Sequence, residues 1–180
     1  DSELASSGQV VTIEALGGTG ALKVGADYLK RLLPGASIYI SDPSWENHRA
    51  LFESAGFQVN TYAYYDAATR GVNFAGMKAS LEAAPAGSII VLHACCHNPT
   101  GADLSDAQWD EVVSVCGSRG LVPFLDMAYQ GFADGIDADA VAVRALSKSG
   151  LQFFVSSSFS KSFSLYGERV GALSIVTASK

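Results

Sequence analysis

Short apolar, β-branched runs alternate with longer amphipathic stretches along the whole chain. The short runs predict seven strands, at Val10–Ala15, Ser37–Ser41, Gln58–Tyr65, Ser88–His93, Leu121–Leu125, Gln152–Ser157 and Val170–Val176. The longer stretches predict helices at Ala21–Leu33, Trp45–Ala55, Phe74–Ala84, Ser105–Ser118 and Asp139–Ser147. This alternation of strand and helix indicates one doubly wound α/β domain with a mostly parallel sheet.

Polar or glycine-rich segments follow five of these strands. In a parallel sheet of this kind, ligands bind beyond the carboxyl ends of the strands. The candidate ligand-binding segments are therefore Gly17–Gly20, Asp42–His48, His93–Gly101, Asp126–Tyr129 and Ser156–Lys161.

The composition narrows the class of protein. The 180 residues are 48% hydrophobic, which is enough for one substantial core. The formal net charge is −6 without a Lys/Arg cluster, so we expect no nucleic-acid surface. The apolar runs are strand-length, so we expect no transmembrane helix, and we identify no signal peptide. Three cysteines, two of them adjacent, do not make a disulfide framework, which favours a reducing, cytoplasmic setting.

The segment Gly17–Gly20 lies between a predicted strand and a predicted helix. Glycines such as Gly18 allow backbone N–H groups to approach an anion, and a helix N-terminus favours negative charge. The Thr19 hydroxyl adds a donor. The alternative is a tight turn in which glycine serves steric needs alone. The segment is not the dinucleotide-binding fingerprint, because Lys23 occupies the position of its third glycine.

Several hydroxyl side chains and a lysine follow the strand Gln152–Ser157. Ser158 precedes Lys161, and Arg169 comes eight residues after the lysine. Hydroxyls and a guanidinium suit a phosphate group. A lysine held there can form a Schiff base with an aldehyde. The alternative is a solvated loop lysine with a surface arginine.

Asp126 follows the continuous apolar run Leu121–Leu125. Burying a carboxylate at the end of such a strand is costly without a cationic partner, and a protonated ring nitrogen is one such partner. The Tyr129 phenol could bond a ring hydroxyl. Asp126 could instead cap a helix or turn. A metal ligand is a third interpretation, but no second carboxylate is spaced to support it.

The segment His93–Gly101 contains the histidine and cysteine side chains that metals prefer. Adjacent residues of an extended chain point to opposite faces, so we expect Cys95 and Cys96 not to share one ion, and we predict no metal site. Asn98 begins an Asn-Pro-Thr-Gly turn that leaves its amide at the sheet edge. The alternative is an asparagine that bonds its own turn.

Trp45 and His48 follow the second predicted strand. The indole of Trp45 could stack on a flat cofactor, or it could be part of the core. His48 could contact a site residue without touching the ligand itself, or it could lie on the surface.

Four segments together resemble the class I aminotransferases that depend on pyridoxal 5′-phosphate (PLP), in their aspartate/aromatic branch. The resemblance extends along essentially the whole chain. In order, the segments are Pro43–His48, Cys96–Gly101, Asp126–Phe132, and Ser158–Lys161 followed by Gly167–Gly171.

The resemblance implies a catalytic role for three residues. Lys161 would hold the cofactor as a Schiff base and, once displaced by substrate, would shuttle the proton from the substrate Cα. Asp126 would pair with the pyridinium nitrogen of the cofactor. Tyr129 would bond the ring oxygen, together with Asn98.

The same resemblance implies the remaining contacts. The phosphate would be held by Gly18, Thr19, Ser158 and Arg169. Trp45 would stack on the ring near the substrate carboxylate, and Trp45 and Asn98 would both contact the substrate. His48 and His93 would hold Asp126 or its neighbours in position without touching the cofactor themselves.

A fold and an assembly are also implied. The fold is a three-layer α/β/α sandwich around a seven-stranded, mostly parallel sheet whose last strand, Val170–Val176, is antiparallel. Residues 1–180 would form the PLP-binding large domain, without the N-terminal arm and the small C-terminal domain of family members. The family further implies a homodimer with shared active sites, small-molecule substrates and no membrane partner.

The implied activity is ping-pong transamination between an aspartate or aromatic L-amino acid and a 2-oxo acid. The alternatives are a lyase or decarboxylase of the same fold and a PLP-sensing domain of a transcription regulator. The acidic charge gives no support to the regulator. Asp42–Asn47 and Ser164–Gly167 incline the substrate preference toward dual or aromatic specificity.

Overall fold

Seven strands pair into one mixed sheet in the computed structural model, which describes residues 2–177. The strands of these residues are β1 (Val10–Leu16), β2 (Ser37–Asp42), β3 (Gln58–Ala63), β4 (Tyr65–Asp66), β5 (Gly71–Val72), β6 (Ile89–His93), β7 (Val122–Met127), β8 (Phe153–Ser158) and β9 (Val170–Val176). The sheet order is β1-β9-β8-β7-β6-β2-β3, and β4 pairs with β5 in a separate ribbon.

Helices cover both faces of this sheet. They are α1 (Ser2–Ser6), α2 (Gly17–Leu32), α3 (Glu46–Ser54), α4 (Phe74–Ala83), α5 (Asp106–Arg119) and α6 (Val141–Ser149), with a 3₁₀ turn at Ala138–Ala140. Helices α2 and α3 share one buried cluster with Phe124 of β7, whereas α4, α5 and α6 share another with Leu125. Consecutive strand residues thus pack on opposite faces, as the pleat requires. The central strands are apolar on both faces for this reason.

The strand directions agree with the prediction. Five consecutive strands of the sheet run parallel to one another, namely β3, β2, β6, β7 and β8. Strand β9 runs antiparallel to both β8 and β1. The expected three-layer α/β/α sandwich with an antiparallel last strand is therefore confirmed.

Ser105 begins α5 as the sequence predicts. Its hydroxyl accepts a hydrogen bond from the Gln108 N–H, and the Gln108 side chain accepts one from the Ser105 N–H. This capping box satisfies two amides that would otherwise lack partners at the helix start. The helix ends at Gly120, whose left-handed conformation suits glycine.

Several element boundaries differ from the prediction by one to four residues. Helix α2 begins at Gly17 rather than Ala21, so the glycine segment forms the first helical turn instead of a preceding loop. The strand predicted to reach Tyr65 stops at Ala63, because Tyr64 is buried and its hydroxyl donates to the Ala102 carbonyl. The predicted helix over residues 139–147 starts instead as the 3₁₀ turn and becomes α-helical only two residues later.

Within residues 2–177, every helix is too short or too polar to cross a membrane.

Candidate active site

The carboxyl ends of the central strands border a cavity of about 230 Å³. The first two turns of helix α2, the ends of β6, β7 and β8, and the loops after β2, β6, β7 and β8 line the cavity. The structure brings to this lining all nine residues expected to contact a cofactor: Gly18, Thr19, Trp45, Asn98, Asp126, Tyr129, Ser158, Lys161 and Arg169. His93 also lines the cavity, whereas His48 lies behind it and is fully buried.

One end of the cavity is suited to an anion. It is bordered by the N-terminus of α2, where no side chain caps the backbone N–H groups and the first turn contains no acidic residue. The hydroxyls of Thr19, Ser158 and Ser160 and the guanidinium of Arg169 lie at the same cavity. Uncapped amides at the positive end of a helix, together with an arginine, attract negative charge.

Glycine is required at this end by close approach. A Cβ atom on Gly17 would lie 2.7 Å from the Arg169 Nη2 atom, and Gly17 also has a φ of +69°. A Cβ atom on Gly18 would lie 3.0 Å from the Cβ of Ser158. The two glycines thus let the helix start approach the strand end and the arginine closely. The steric need for glycine is therefore met in this segment, and anion binding by the same segment stays a prediction.

Arg169 is held in place from its own loop. Its Nη1 atom donates to the Tyr166 carbonyl oxygen at 3.1 Å and to the Ser160 hydroxyl at 3.4 Å. The residue has a φ of +54°, a left-handed conformation that is uncommon for arginine. The backbone therefore turns sharply just before β9 and presents the guanidinium toward the helix start.

Lys161 and Tyr129 meet at the middle of the cavity. The Lys161 Nζ atom lies 4.7 Å from the centre of the Tyr129 ring, over its face. This cation–π contact holds the ammonium beside the tyrosine, and Lys161 makes no ion pair with any residue from 2 to 177. Both residues come from loops that follow adjacent strands, β8 and β7.

Asp126 occupies the floor of the cavity. It lies in β7, in register with His93 of β6 and Ser156 of β8, so it is surrounded by sheet on both sides. The fully buried His48 approaches it from α3, with 2.8 Å between His48 Nε2 and Asp126 Oδ2. His48 Nδ1 lies 2.9 Å from the Ser44 hydroxyl, which lies 3.4 Å from His93 Nε2. A chain of polar contacts therefore connects the carboxylate to two histidines.

The charge state of these groups follows from their surroundings. Burial alone would raise the pKa of Asp126, but the hydrogen bond from His48 and the electrostatic attraction of His48 and Lys161 outweigh this effect and lower the pKa. Burial, followed by repulsion from His48, lowers the pKa of His93 to about 3. At neutral pH the cavity floor therefore carries a carboxylate, and His93 is uncharged.

His97 fixes the turn that presents Asn98. Its ring bonds the Ser41 hydroxyl through Nε2 at 2.9 Å and the Thr100 hydroxyl through Nδ1 at 2.8 Å. The ring also stacks on Tyr64, with centroids 4.0 Å apart. Within the described residues, the Asn98 side chain makes no hydrogen bond to its own turn, so its amide remains available to the cavity.

Trp45 contacts both the core and the cavity, and its stacking on a flat cofactor stays a prediction. It precedes α3, packs against the core cluster that contains Phe124, and also lines the cavity. Its ring contacts the His48 ring edge-on, with centroids 5.4 Å apart. His48 lies in the interior rather than on the surface.

The expected geometry of the two adjacent cysteines is wrong. Cys96 has a φ of +49°, so the chain is not extended there. The two thiols and the carboxylate of Asp139 consequently lie within 4.8 Å of one another. The argument from alternating faces fails because it assumed a continuous strand.

Several cavity residues were not identified from the sequence. Ser160 and Tyr166 line the cavity near Arg169, and Leu22 and Ala128 supply apolar surface. Ser160 belongs to the hydroxyl-rich run before Lys161, which was a usable signal. Ser44, the link between the two histidines, lies four residues before His48, a spacing that brings side chains together at a helix start.

Comparisons with known proteins agree with this geometry. The family model described as aminotransferase class I and II matches residues 1–180. The chain is 68% identical to an aspartate aminotransferase of Pseudomonas aeruginosa, across 100% of this chain and 45% of the relative. It is 58% identical to an aromatic-amino-acid aminotransferase of Escherichia coli, across 93% of this chain and 42% of the relative.

A solved structure gives the same result for the fold. The aromatic-amino-acid aminotransferase from Burkholderia pseudomallei, covalently bound to pyridoxal phosphate, superposes with a TM-score of 0.98 at 67% identity. The match covers 100% of this chain and 45% of that one. The chain thus spans somewhat less than half the length of the relatives described here.

Proposed function

Because this chain belongs to the class I and II aminotransferase family, we propose that it forms the PLP-binding large domain of an aminotransferase. The reaction is transfer of an amino group between an aspartate or aromatic L-amino acid and a 2-oxo acid, by a ping-pong mechanism. The observation that carries the proposal is the convergence of a lysine amine, a buried carboxylate and an uncapped helix N-terminus on one cavity. The names of the relatives support both substrate classes.

The anion end of the cavity fits the phosphate group of PLP. The uncapped amides at the start of α2 and the Arg169 guanidinium offer the positive potential, and Thr19 and Ser158 offer hydroxyl donors. The cavity volume of about 230 Å³ suits a small flat molecule. The missing side chain of Gly18 lets the helix start lie close to Ser158, whose Cβ would be 3.0 Å from an added Cβ atom. These residues would bind the phosphate of the cofactor and so fix the position of its ring in the cavity.

The floor and wall of the cavity fit the ring. Asp126 presents a carboxylate whose charge His48 helps to maintain, so it would pair with the ring nitrogen and keep it protonated. The phenol of Tyr129 and the free amide of Asn98 would bond the ring oxygen. Trp45 would cover one face of the ring. When bound, PLP supplies an aldehyde carbon that receives the amino group and a ring that accepts electrons from the substrate Cα.

Lys161 would perform the proton transfer. Its Nζ atom would hold the cofactor covalently before substrate arrives, and the released amine would take the proton from the substrate Cα. Tyr129, over whose ring Nζ lies at 4.7 Å, would keep the amine near the reacting carbon after release. Asp126 would stabilise the positive charge on the ring nitrogen through this step. The low effective dielectric beside apolar strands strengthens that pairing.

The assembly and location are further parts of the proposal. We infer a homodimer with shared active sites, in the cytoplasm, acting on small amino-acid and 2-oxo-acid substrates. A second subunit packed beside the cavity would cover three exposed apolar side chains there, namely those of Phe163, Leu165 and Tyr166. The sequence inclines the donor preference toward dual or aromatic specificity. Measuring the activity with a series of amino-acid donors would determine that preference.

The test is a half-reaction with the full-length enzyme. The PLP-loaded protein is mixed with aspartate or tyrosine in the absence of a 2-oxo acid, and both products are quantified. We expect one equivalent of 2-oxo acid and one of the aminated cofactor per subunit. Release of carbon dioxide, or of ammonia with regenerated PLP, would instead indicate a decarboxylase or a lyase of the same fold.

A further inference from the structure

Two thiols and one carboxylate lie close together outside the candidate active site. The ligand atoms of Cys95, Cys96 and Asp139 are all within 4.8 Å of one another. Cys95 and Asp139 are buried, and Cys96 is half-buried. Among the described residues, this is the one group of His, Cys, Asp and Glu side chains that meets the spacing needed to hold a metal ion.

Hydrogen bonds set the position of both loops that supply these groups. Asp103 accepts from the backbone N–H groups of Cys96 at 2.7 Å and His97 at 2.8 Å, which holds the left-handed turn at Cys96. The turn directs both thiols toward Asp139. The arrangement is therefore built into the loop rather than being a chance approach of exposed side chains.

Asp139 is held just as firmly. Its Oδ2 atom accepts from the Gly131 N–H at 2.7 Å and the Ala133 N–H at 3.1 Å, and Oδ1 accepts from the Asp134 N–H at 2.9 Å. A carboxylate offers about four lone-pair positions. Three bonds therefore leave capacity for one further ligand contact.

A second cavity of about 170 Å³ adjoins this group. This cavity is bordered by the carboxylates of Asp103, Asp106, Asp134 and Asp139 and by the guanidinium of Arg144. Cys95 lies in its wall. The excess of negative charge favours entry of a cation. The cavity also has room for a water molecule beside the Cys95 side chain.

We propose that Cys95, Cys96 and Asp139 bind one thiophilic divalent cation of the Zn²⁺ or Cd²⁺ class, with water from the adjoining cavity as the fourth ligand. Two thiolates select such soft or borderline ions over Mg²⁺ and Ca²⁺. As two metal–sulfur bonds form, two S–H bonds break and two protons pass to solvent. Neither sulfur changes oxidation state.

The geometry requires only a small adjustment. Zinc–sulfur bonds of about 2.3 Å in a tetrahedron place two sulfurs roughly 3.8 Å apart. From separations of up to 4.8 Å, the two sulfurs would approach by about 1 Å at most, and each sulfur and the carboxylate oxygen by about 1.3 Å at most. The bound ion would join the loop before Asn98 to the 3₁₀ turn Ala138–Ala140, because Cys96 belongs to the first and Asp139 to the second.

The probe for this site is Cd²⁺ added to the full-length protein. Thiolate-to-cadmium charge-transfer absorbance in the ultraviolet reports the sulfur ligands, and metal analysis after gel filtration gives the stoichiometry. We expect one Cd²⁺ per subunit. Cys96→Ala and Cys95→Ala should each weaken binding at least tenfold and reduce the absorbance by about half, because one of two thiolates is lost. Cys116→Ala is the matched control, since Cys116 is a third free cysteine buried in α5.

Two results would overturn the proposal. One is that Cd²⁺ does not remain bound through gel filtration. The other is that Cys96→Ala retains the full absorbance while Cys116→Ala loses it. Cadmium binding is measured without cofactor and without turnover. The result therefore tests the metal site independently of the proposed aminotransferase activity. Should Cys95→Ala fail to fold because its thiol is buried, the half-exposed Cys96 still provides the test.

Discussion

The Nε2 atom of His48 and the Oδ2 atom of Asp126 lie 2.8 Å apart, and both side chains are buried. The two residues are 78 positions apart in the chain. The contact joins helix α3 to the central strand β7 and offsets part of the cost of burying a carboxylate. It also orients the carboxylate so that the cavity receives its charge.

Asp126→Ala should retain PLP but lose proton abstraction. Without the carboxylate the ring nitrogen would lose its partner, and electrostatic contributions of this kind are worth several kcal/mol in a site without water. We expect a loss of about a hundredfold or more in the half-reaction, measured by stopped-flow with a Cα-deuterated donor. Asp126→Glu should retain much of the rate, because a longer carboxylate can still pair. A near-normal rate in Asp126→Ala would limit Asp126 to a structural role.

Lys161→Ala should abolish covalent attachment of the cofactor. Reduction of the full-length wild-type protein with borohydride should fix PLP to a peptide that contains Lys161, identified by mass spectrometry. Lys148→Ala is the matched control, because Lys148 lies in the last turn of α6 and should leave labelling unchanged. Continued labelling in Lys161→Ala would contradict the assignment.

Arg169→Ala should weaken PLP binding by roughly ten- to a hundredfold. A charge-assisted hydrogen bond to phosphate contributes on the order of 1.5–3 kcal/mol. Cofactor titration of the apoenzyme, followed by absorbance, measures the change. Arg31→Ala, at the other end of α2, should leave the affinity near that of the wild type. Equal affinities for the wild type and Arg169→Ala would remove Arg169 from the phosphate site.

Acid should destabilise the fold through His93. Its pKa is lowered to about 3 in the folded protein, against about 6.5 in an unfolded chain. Between these values the unfolded chain binds a proton that the folded protein does not, so stability falls as the pH falls. The slope approaches about 1.4 kcal/mol per pH unit for one histidine.

Urea denaturation at a series of pH values measures this slope. His97 adds a similar contribution, because burial, followed by repulsion from His48, lowers its pKa to about 4. His93→Gln should therefore remove about half of the slope between roughly pH 6 and pH 4. An unchanged slope would mean that His93 becomes protonated in the folded protein as readily as in the unfolded chain.

Gly25→Ala should destabilise the protein although alanine favours helices. A Cβ atom there would lie 2.5 Å from the Cζ atom of Phe124, which is fully buried between Phe52 and Phe154. Overpacking of this kind costs about 1–3 kcal/mol, against a gain of about 1 kcal/mol in helix propensity. We expect a net loss, measured by thermal unfolding.

Gly35→Ala is the control for this substitution. No atom lies within 4 Å of its added Cβ, so its effect should stay within about 0.5 kcal/mol. A Gly25→Ala protein as stable as the wild type would show that the ring of Phe124 can move aside.

Most strands and helices could be predicted from the sequence because their signals are local. The apolar run before Asp126 indicated a strand buried on both faces, and β7 is such a strand. Ser105 and Gln108 form a capping box over four consecutive positions. Boundaries failed where a distant contact redirected the chain, as the burial of Tyr64 does after β3.

The sequence by itself determined which residue types follow each strand, and therefore which side chains are available to a site. Only the tertiary structure decided which of them meet. The sheet order places β7 between β6 and β8, and this adjacency brings Asp126 beside His93 and within the same cavity as Lys161. The alternation of side chains along a strand predicted that Cys95 and Cys96 point to opposite faces. The left-handed turn at Cys96, held by Asp103, instead brings the two thiols together. Periodicity reports contacts over a few residues, whereas the packing of distant strands and loops sets the distances on which the chemistry depends.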